Sequence, residues 1–168
     1  GEAVNNAMEL VEQQSEQLSG VLPKTYTMFS DELLAELLRI FNNSALDDVG
    51  GDIIGRIYEY FLNKFAKNIA QDDGVFFTPK SLVKMIVNVL EPEQGVLLDP
   101  ACGSGGMFVQ SAKFVENHGG NINKISVFGQ DSNPTTWKMA QMNLAIRGIE
   151  ADLGKFNADT FFNDCHPQ

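Results

Sequence analysis

The chain has 168 residues and 18.5 kDa, room for one ordinary domain or for one complete domain joined to part of another. Hydrophobic residues make up 43% and charged residues 20%, with 12 Phe, so a core can be buried and a disordered-tail composition is excluded. With 12 Lys+Arg against 22 Asp+Glu the formal charge is −10, which argues against a free-standing phosphate-backbone binder held by counterion release.

That charge is uneven: residues 1–72 hold 5 basic and 12 acidic side chains, net −7, and residues 73–168 hold 7 and 10, net −3. Cys102 and Cys165 form no CxxC pair and have no His-rich cluster beside them, so neither a zinc site nor a disulfide framework is indicated and a reducing cytoplasm fits best. No stretch reaches the roughly 18 consecutive apolar residues of a membrane helix, and Gly1-Glu2-Ala3-Val4 lacks the basic and apolar regions of a signal peptide. A cytoplasmic protein with no membrane association is the expectation.

The first 70 or so residues read as a helical module. Val4, Met8 and Val11 fall at i, i+4 and i+7; Leu33, Leu34, Leu37, Leu38 and Phe41 repeat the helical period behind Ser30-Asp31, a good N-cap pair. A third helix is predicted from about Asp52 to Asn68, with Ile53, Ile54, Ile57, Tyr58, Phe61, Leu62 and Phe65 on a broad apolar face. The composition changes at Gln71-Asp72-Asp73-Gly74, which sets the expected domain boundary at residues 72/73.

Beyond it, helices and strands alternate. Thr78-Pro79 supplies an N-cap and a first-turn Pro for a helix to about Leu90, stopped by Glu91-Pro92. Gly95-Val96-Leu97-Leu98-Asp99 has the look of a buried parallel strand. A glycine turn, a helix from about Gly105 to Asn117, and a second strand at Ile125-Ser126-Val127-Phe128 follow. Asn133-Pro134 opens another helix to about Gly148, and a third strand is expected within Gly154–Ala158. Alternation of this kind means α/β, a doubly wound parallel sheet.

The strongest motif is Asp99-Pro100-Ala101-Cys102-Gly103-Ser104-Gly105-Gly106, between a strand and a helix. Its glycines let backbone N–H groups approach a ligand, at the strand end where open α/β sheets bind ligands. No Lys or Thr follows them, so a P-loop is excluded, and GxGxxG fails because position 108 is Phe108. Asp99 suits a cationic or amine-bearing ligand such as a methionine moiety, with helix capping as its bland alternative. Asp131, after the second strand, suits the two hydroxyls of a ribose, or else caps the helix at Asn133-Pro134. Ala158-Asp159-Thr160-Phe161 offers an acceptor for an adenine amine beside an aromatic, or a solvated turn. Gly74-Val75-Phe76-Phe77-Thr78-Pro79 offers an aromatic wall beside a helix N-terminus whose free N–H groups and Thr78 hydroxyl suit a carboxylate; core packing is the alternative for Phe76 and Phe77.

In this order the motifs resemble the N6-adenine DNA methyltransferases of gamma-type motif order, and more narrowly the modification subunit of type I restriction–modification systems. Asp52-Ile53-Ile54-Gly55-Arg56-Ile57-Tyr58-Glu59-Tyr60-Phe61-Leu62 also resembles the helix preceding the methyltransferase core in that family. The resemblance implies the first half of a Rossmann-like methyltransferase sheet and S-adenosyl-L-methionine as cofactor. Phe76, Phe77, Thr78 and Pro79, flanked by Val75 and Lys80, would hold its methionine end. Asp99, Gly103, Ser104, Gly105 and Gly106 would receive its amino and carboxylate groups, Asp131 the ribose hydroxyls and Asp159 the adenine amine. Asp131 is a departure, because many relatives carry Glu there.

A larger departure concerns catalysis. Such enzymes hold a flipped adenine with Asn/Asp-Pro-Pro-Tyr/Phe, and none of the 168 residues forms that tetrapeptide. The chain is therefore expected to be a part of a larger subunit, cut before its catalytic motif, with no catalytic or metal-ligating residue of its own and no methyl transfer alone. The resemblance further implies a specificity subunit and a restriction subunit as partners and double-stranded DNA reached through the complex. An unpaired sheet edge adds the expectation of self-association. A stand-alone or fused restriction-type adenine methyltransferase, and a non-catalytic adenosine-binding or assembly module, are the competing readings.

Overall fold

A computed structural model describes residues 1–42, 51–69 and 78–167, and the side chains of all of these except residues 51, 52 and 65–69. Two compact units result, Gly1–Ile54 and Gly55–Gln168. The structural division thus falls inside the third helix, ahead of the composition change, because contacts rather than polarity define it. The expected elements at residues 43–50 and 70–77 lie outside the described residues.

In the first unit, α1 (Glu2–Gln14) is followed by 3-10 turns at Glu16–Leu18 and Tyr26–Met28 and by α2 (Asp31–Phe41). The connection folds back on α1 through its polar side chains: Asn5 Oδ1 accepts from Tyr26 N at 3.1 Å, and Glu12 Oε1 from Leu22 N at 2.8 Å. Ser30 caps α2 as its sequence indicates, accepting from Leu33 N at 3.3 Å. Among the described residues of this unit, Val21 and Leu34 are the buried apolar ones.

The second unit contains α3 (Gly51–Ile69, from Gly55 onward), α4 (Lys80–Leu90), β1 (Gly95–Asp99), α5 (Gly106–Asn117), β2 (Ile125–Gly129) and α6 (Pro134–Ile146). The strands pair in parallel, Gly95 with Ile125 through Asp99 with Gly129, as a helix-linked strand pair requires. Val83 and Val87 of α4 pack with Phe114 of α5 against Met107. Phe108 is 1% exposed, a burial that stabilises by about 1.5–3 kcal/mol. Its ring reaches β2 at Gly129, where a Cβ would stand 2.8 Å from Phe108 Cζ. The close helix–strand approach that GxGxxG secures with a helix glycine is here secured by a strand glycine.

Three expectations are corrected, the first being that of a buried β1, whose Val96 and Leu98 are 73% and 45% exposed. Residues 154–158 form no strand; parallel pairing beyond β2 is a single bridge, Phe128 with Asp152. Asp152 Oδ1 accepts from Gly154 N at 2.9 Å and Gly154 has φ +76°, so the chain turns where a strand would have to continue. Thr78 is not the N-cap of α4: Pro79 occupies that position and no side chain caps it. Asn133 does cap α6, accepting from Thr135 N and Thr136 N at 2.9 and 3.1 Å, with Pro134 in the first turn. Among the described residues no helix is long and apolar enough to cross a membrane.

Candidate functional site: a cleft at the carboxyl ends of β1 and β2

The backbone bonding of the sheet continues past the strands. Gln130 N donates to Asp99 O at 3.2 Å and Cys102 N to Gln130 O at 2.9 Å, which holds the turn after β1 against the chain leaving β2. Gly103 and Gly105 take φ of +54° and +79°, a region that disfavours a side chain. Between them the chain reverses into α5, closed by Gly105 N donating to Cys102 O at 2.9 Å.

Carboxylates brace this turn. Asp99 Oδ1 accepts from Ala101 N at 3.1 Å. Asp131 Oδ2 accepts from Gly103 N at 3.0 Å and its Oδ1 from Asn133 N at 2.9 Å. Asp131 therefore links the glycine turn to the start of α6, and each oxygen keeps a lone pair for a further donor. On the far side of the turn, Asn143 Nδ2 donates to Ser104 O at 2.7 Å.

The turn opens into a cleft of 570 Å³, within the range of small-molecule sites. Of the residues singled out in the sequence, Thr78, Lys80, Asp99, Gly103, Ser104, Gly106 and Asp131 line it. Gly105 is buried beneath, where a Cβ would meet Leu144 at 3.5 Å. Pro79 caps α4 beside the lining residues Thr78 and Lys80. Asp159 is exposed and outside the lining, its Oδ1 accepting from Phe161 N at 2.9 Å in a local turn. Its segment is nevertheless tied to the site: Ala158 N donates to Asp131 O at 2.9 Å and Thr160 Oγ1 to Pro100 O. Val75, Phe76 and Phe77 lie outside the described residues.

Sequence reasoning missed Glu59 and Asn63 of α3, Lys113 of α5, and Asn143 and Arg147, all of which line the cleft. It also missed Gln130, 1% exposed, which pins the segment after Ala158. Its Nε2 donates to Ala158 O and Asn163 O at 3.3 and 3.1 Å, and its Oε1 accepts from Cys165 N at 2.9 Å. A polar residue inside an apolar helix or at a strand end is the available signal for Asn143 and Gln130; for Glu59 and Lys113 there is none.

Asp99 and Asp131 act on each other at the turn. Burial pushes the Asp99 carboxyl above its usual range; the Ala101 N–H opposes this and the charge on Asp131 adds to it. Burial, then Asp99 and Asp131, pushes the Cys102 thiol up to about 12. Both shifts carry one message, since a positive group between these carboxylates would be stabilised. Among the described residues no group of His, Cys, Asp and Glu is arranged for a metal ion.

Parallel strands, a glycine turn and acids at two successive strand ends define an α/β protein with a cleft at the carboxyl ends of its strands, where open α/β sheets bind ligands. Residues 49–168, more than half of the chain, match the family described as N-6 DNA Methylase, and the chain belongs to that family. It is 43% identical over 174 residues to the HindI methylase subunit of a type I restriction enzyme from Haemophilus influenzae, covering 97% of this chain and 39% of that protein. The MjaIX methylase subunit of a type I restriction enzyme from Methanocaldococcus jannaschii is 40% identical, over 91% of this chain and 28% of its own length. The chain thus spans about two-fifths or less of these relatives. In fold it is similar to the methyltransferase subunit of a type I restriction–modification system from Streptococcus thermophilus, with a TM-score of 0.72 and 23% identity, over 98% of this chain and 37% of that one. The Rossmann-like α/β architecture of the second unit agrees with that likeness.

Proposed function

We propose that this chain is the S-adenosylmethionine-binding part of a DNA adenine-N6 methyltransferase subunit of a type I restriction–modification system. The observation that carries this reading is the cleft itself, in which seven of the residues expected to hold the cofactor line one cavity at the carboxyl ends of β1 and β2. The residues suit that ligand chemically. Asp99 faces the positive amino group, and its burial beside Asp131 makes a cation there favourable. Gly103 and Gly106 have open space where a Cβ would stand, so backbone can approach the methionine carboxylate, with Thr78 as a further donor. Asp131 uses its remaining lone pairs for the ribose hydroxyls, and Asp159 has Oδ2 for the adenine amine. From sequence order alone, Val75, Phe76 and Phe77, which directly precede Thr78, are assigned to the methionine end together with Pro79 and Lys80.

The cofactor, when bound, supplies an electrophilic methyl group on sulfur for transfer to adenine N6. In the whole subunit, extrusion of the adenine from the duplex precedes that step. This chain's residues bind and orient the cofactor, and its Asn/Asp-Pro-Pro-Tyr/Phe partner for the base is not among the 168 residues. Alone, the chain therefore binds without turnover. Specificity and restriction subunits of the same system are the partners, and they, rather than this net −10 chain, supply most of the hold on DNA in the cytoplasm.

Equilibrium dialysis against labelled S-adenosylmethionine, with ATP and NAD as competitors, tests the reading. Retention that unlabelled S-adenosylmethionine displaces and ATP and NAD do not is expected; equal displacement by ATP would overturn it. Methyl transfer to adenine-containing DNA by the 168 residues alone would overturn the division of labour.

A further inference from the structure

Asn143 is 4% exposed in the interior of α6, an unfavourable residue for a helix core unless its amide is fully used. It is used on both sides. Its Nδ2 donates to Ser104 O in the glycine turn at 2.7 Å, and its Oδ1 accepts from Arg147 Nη1, one helical turn on. The same Nη1 donates to Asn143 O at 3.1 Å.

Arg147, with its side chain only 10% exposed, carries the connection to α3. Its Nη2 donates to Gly55 O at 2.6 Å and stands 4.0 Å from Glu59 Oε2. Gly55 leaves the guanidinium room, since a Cβ there would stand 3.0 Å from Arg147 Cζ. Glu59 Oε1 meets Lys80 Nζ at 3.0 Å, at the first residue of α4. One turn before Asn143, Tyr58 Oη donates to Met139 O at 3.1 Å, fixing α3 along α6. A buried guanidinium is tolerated only with its donors satisfied, and these contacts join α3 through Arg147 and Asn143 to Ser104.

We infer that Asn143 and Arg147 are positioning residues that hold the glycine turn in its cofactor-receiving shape by tying Ser104 to α3, while Glu59 aligns the Thr78–Lys80 wall to the same strut. The inference rests on the S-adenosylmethionine reading for its affinity readout only. The shape of the turn can be measured without a ligand.

Asn143→Asp separates the two links. It keeps an acceptor for Arg147 but replaces the donor to Ser104 with a carboxylate oxygen. Amide hydrogen exchange by NMR is followed at Gly103 and Gly105, with Gly129, bonded to Asp152 O at 2.9 Å, as an internal reference. In the variant, the two turn amides are expected to exchange about tenfold faster, the shift one lost hydrogen bond produces. Gly129 exchange stays close to that of the parent, the melting midpoint falls by the few degrees that one lost buried hydrogen bond costs, and S-adenosylmethionine binds about tenfold more weakly by calorimetry. Arg147→Lys, which keeps the charge and loses the fork, carries the same readouts if Asn143→Asp fails to fold; exposed Lys138→Ala is the control on the same helix.

Unchanged turn exchange overturns the inference. So does faster exchange with unchanged affinity, because the cofactor would then be indifferent to the strut. If the parent chain binds no S-adenosylmethionine, the functional reading fails, and turn exchange alone decides the inference.

Discussion

Replacing Asp131 with Asn probes the link on which the cleft depends. The carboxylate accepts from two backbone N–H groups, Gly103 at 3.0 Å and Asn133 at 2.9 Å. An amide keeps one acceptor oxygen and turns an NH2 toward the other donor, so one charge-assisted bond is lost and one N–H is left facing a donor. Hydrogen bonds to charged groups contribute about 1.5–3 kcal/mol and a stranded donor costs about 1–3 kcal/mol; Asp131 is half-buried, which argues for roughly 2 kcal/mol in total. Trp137, 8% exposed on α6 and donating to Leu153 O at 2.8 Å, is the fluorescent reporter of this unit. With a urea slope of about 2 kcal/mol/M, its unfolding midpoint is expected to fall by about 1 M. A shift below about 0.3 M would refute the assignment of Asp131 as the brace of the glycine turn.

Other outcomes follow from the same geometry. Because the Asp99 carboxyl is held above its usual range, chiefly by burial, the folded chain binds that proton more tightly than the unfolded one. Stability from this group is full below the ordinary value of 3.8 and falls as pH rises through the folded value. Asp99→Asn keeps Oδ1 for Ala101, so it is expected to unfold at higher denaturant than the parent at neutral pH, to match it in acid, and to lose cofactor affinity; a less stable variant at neutral pH would contradict this. Cys102, with its thiol pushed up to about 12 and 5% exposed, is expected to resist iodoacetamide in the folded chain while half-buried Cys165 is alkylated, as read by peptide mass mapping. Gly105→Ala, at φ +79°, is expected to cost about 1–2 kcal/mol by denaturation. Gly106→Ala, with open space at its Cβ, leaves stability near that of the parent and weakens S-adenosylmethionine binding by calorimetry.

Local chemistry explains what was legible from residues alone. Asp99, the glycine turn and Asp131 stood out because Gly and acids punctuate a strand-to-helix junction, and the Asn133-Pro134 cap was readable because its bonding spans three residues. Thr78-Pro79 carried the same local signal, yet the helix begins one residue later with no side-chain cap. The expected strand at 154–158 gave way to the turn made by Asp152 and the left-handed Gly154. Phe108 read as a broken fingerprint, whereas the compensating glycine sits on β2 at Gly129. Arg147 meets Gly55 across 92 residues of sequence, and no pattern within a helix announces a partner at that separation. Asp131, which reads in the sequence as ribose acceptor or helix cap, makes the bond toward α6 and braces the glycine turn as well.

Isothermal titration of S-adenosylmethionine into the chain and into Asp99→Asn tests the central claim most directly. One site is expected in the parent, with an affinity at least about tenfold weaker in the variant, the loss of one charge-assisted bond. Equal affinities, or no heat from the parent at high protein concentration, would contradict it.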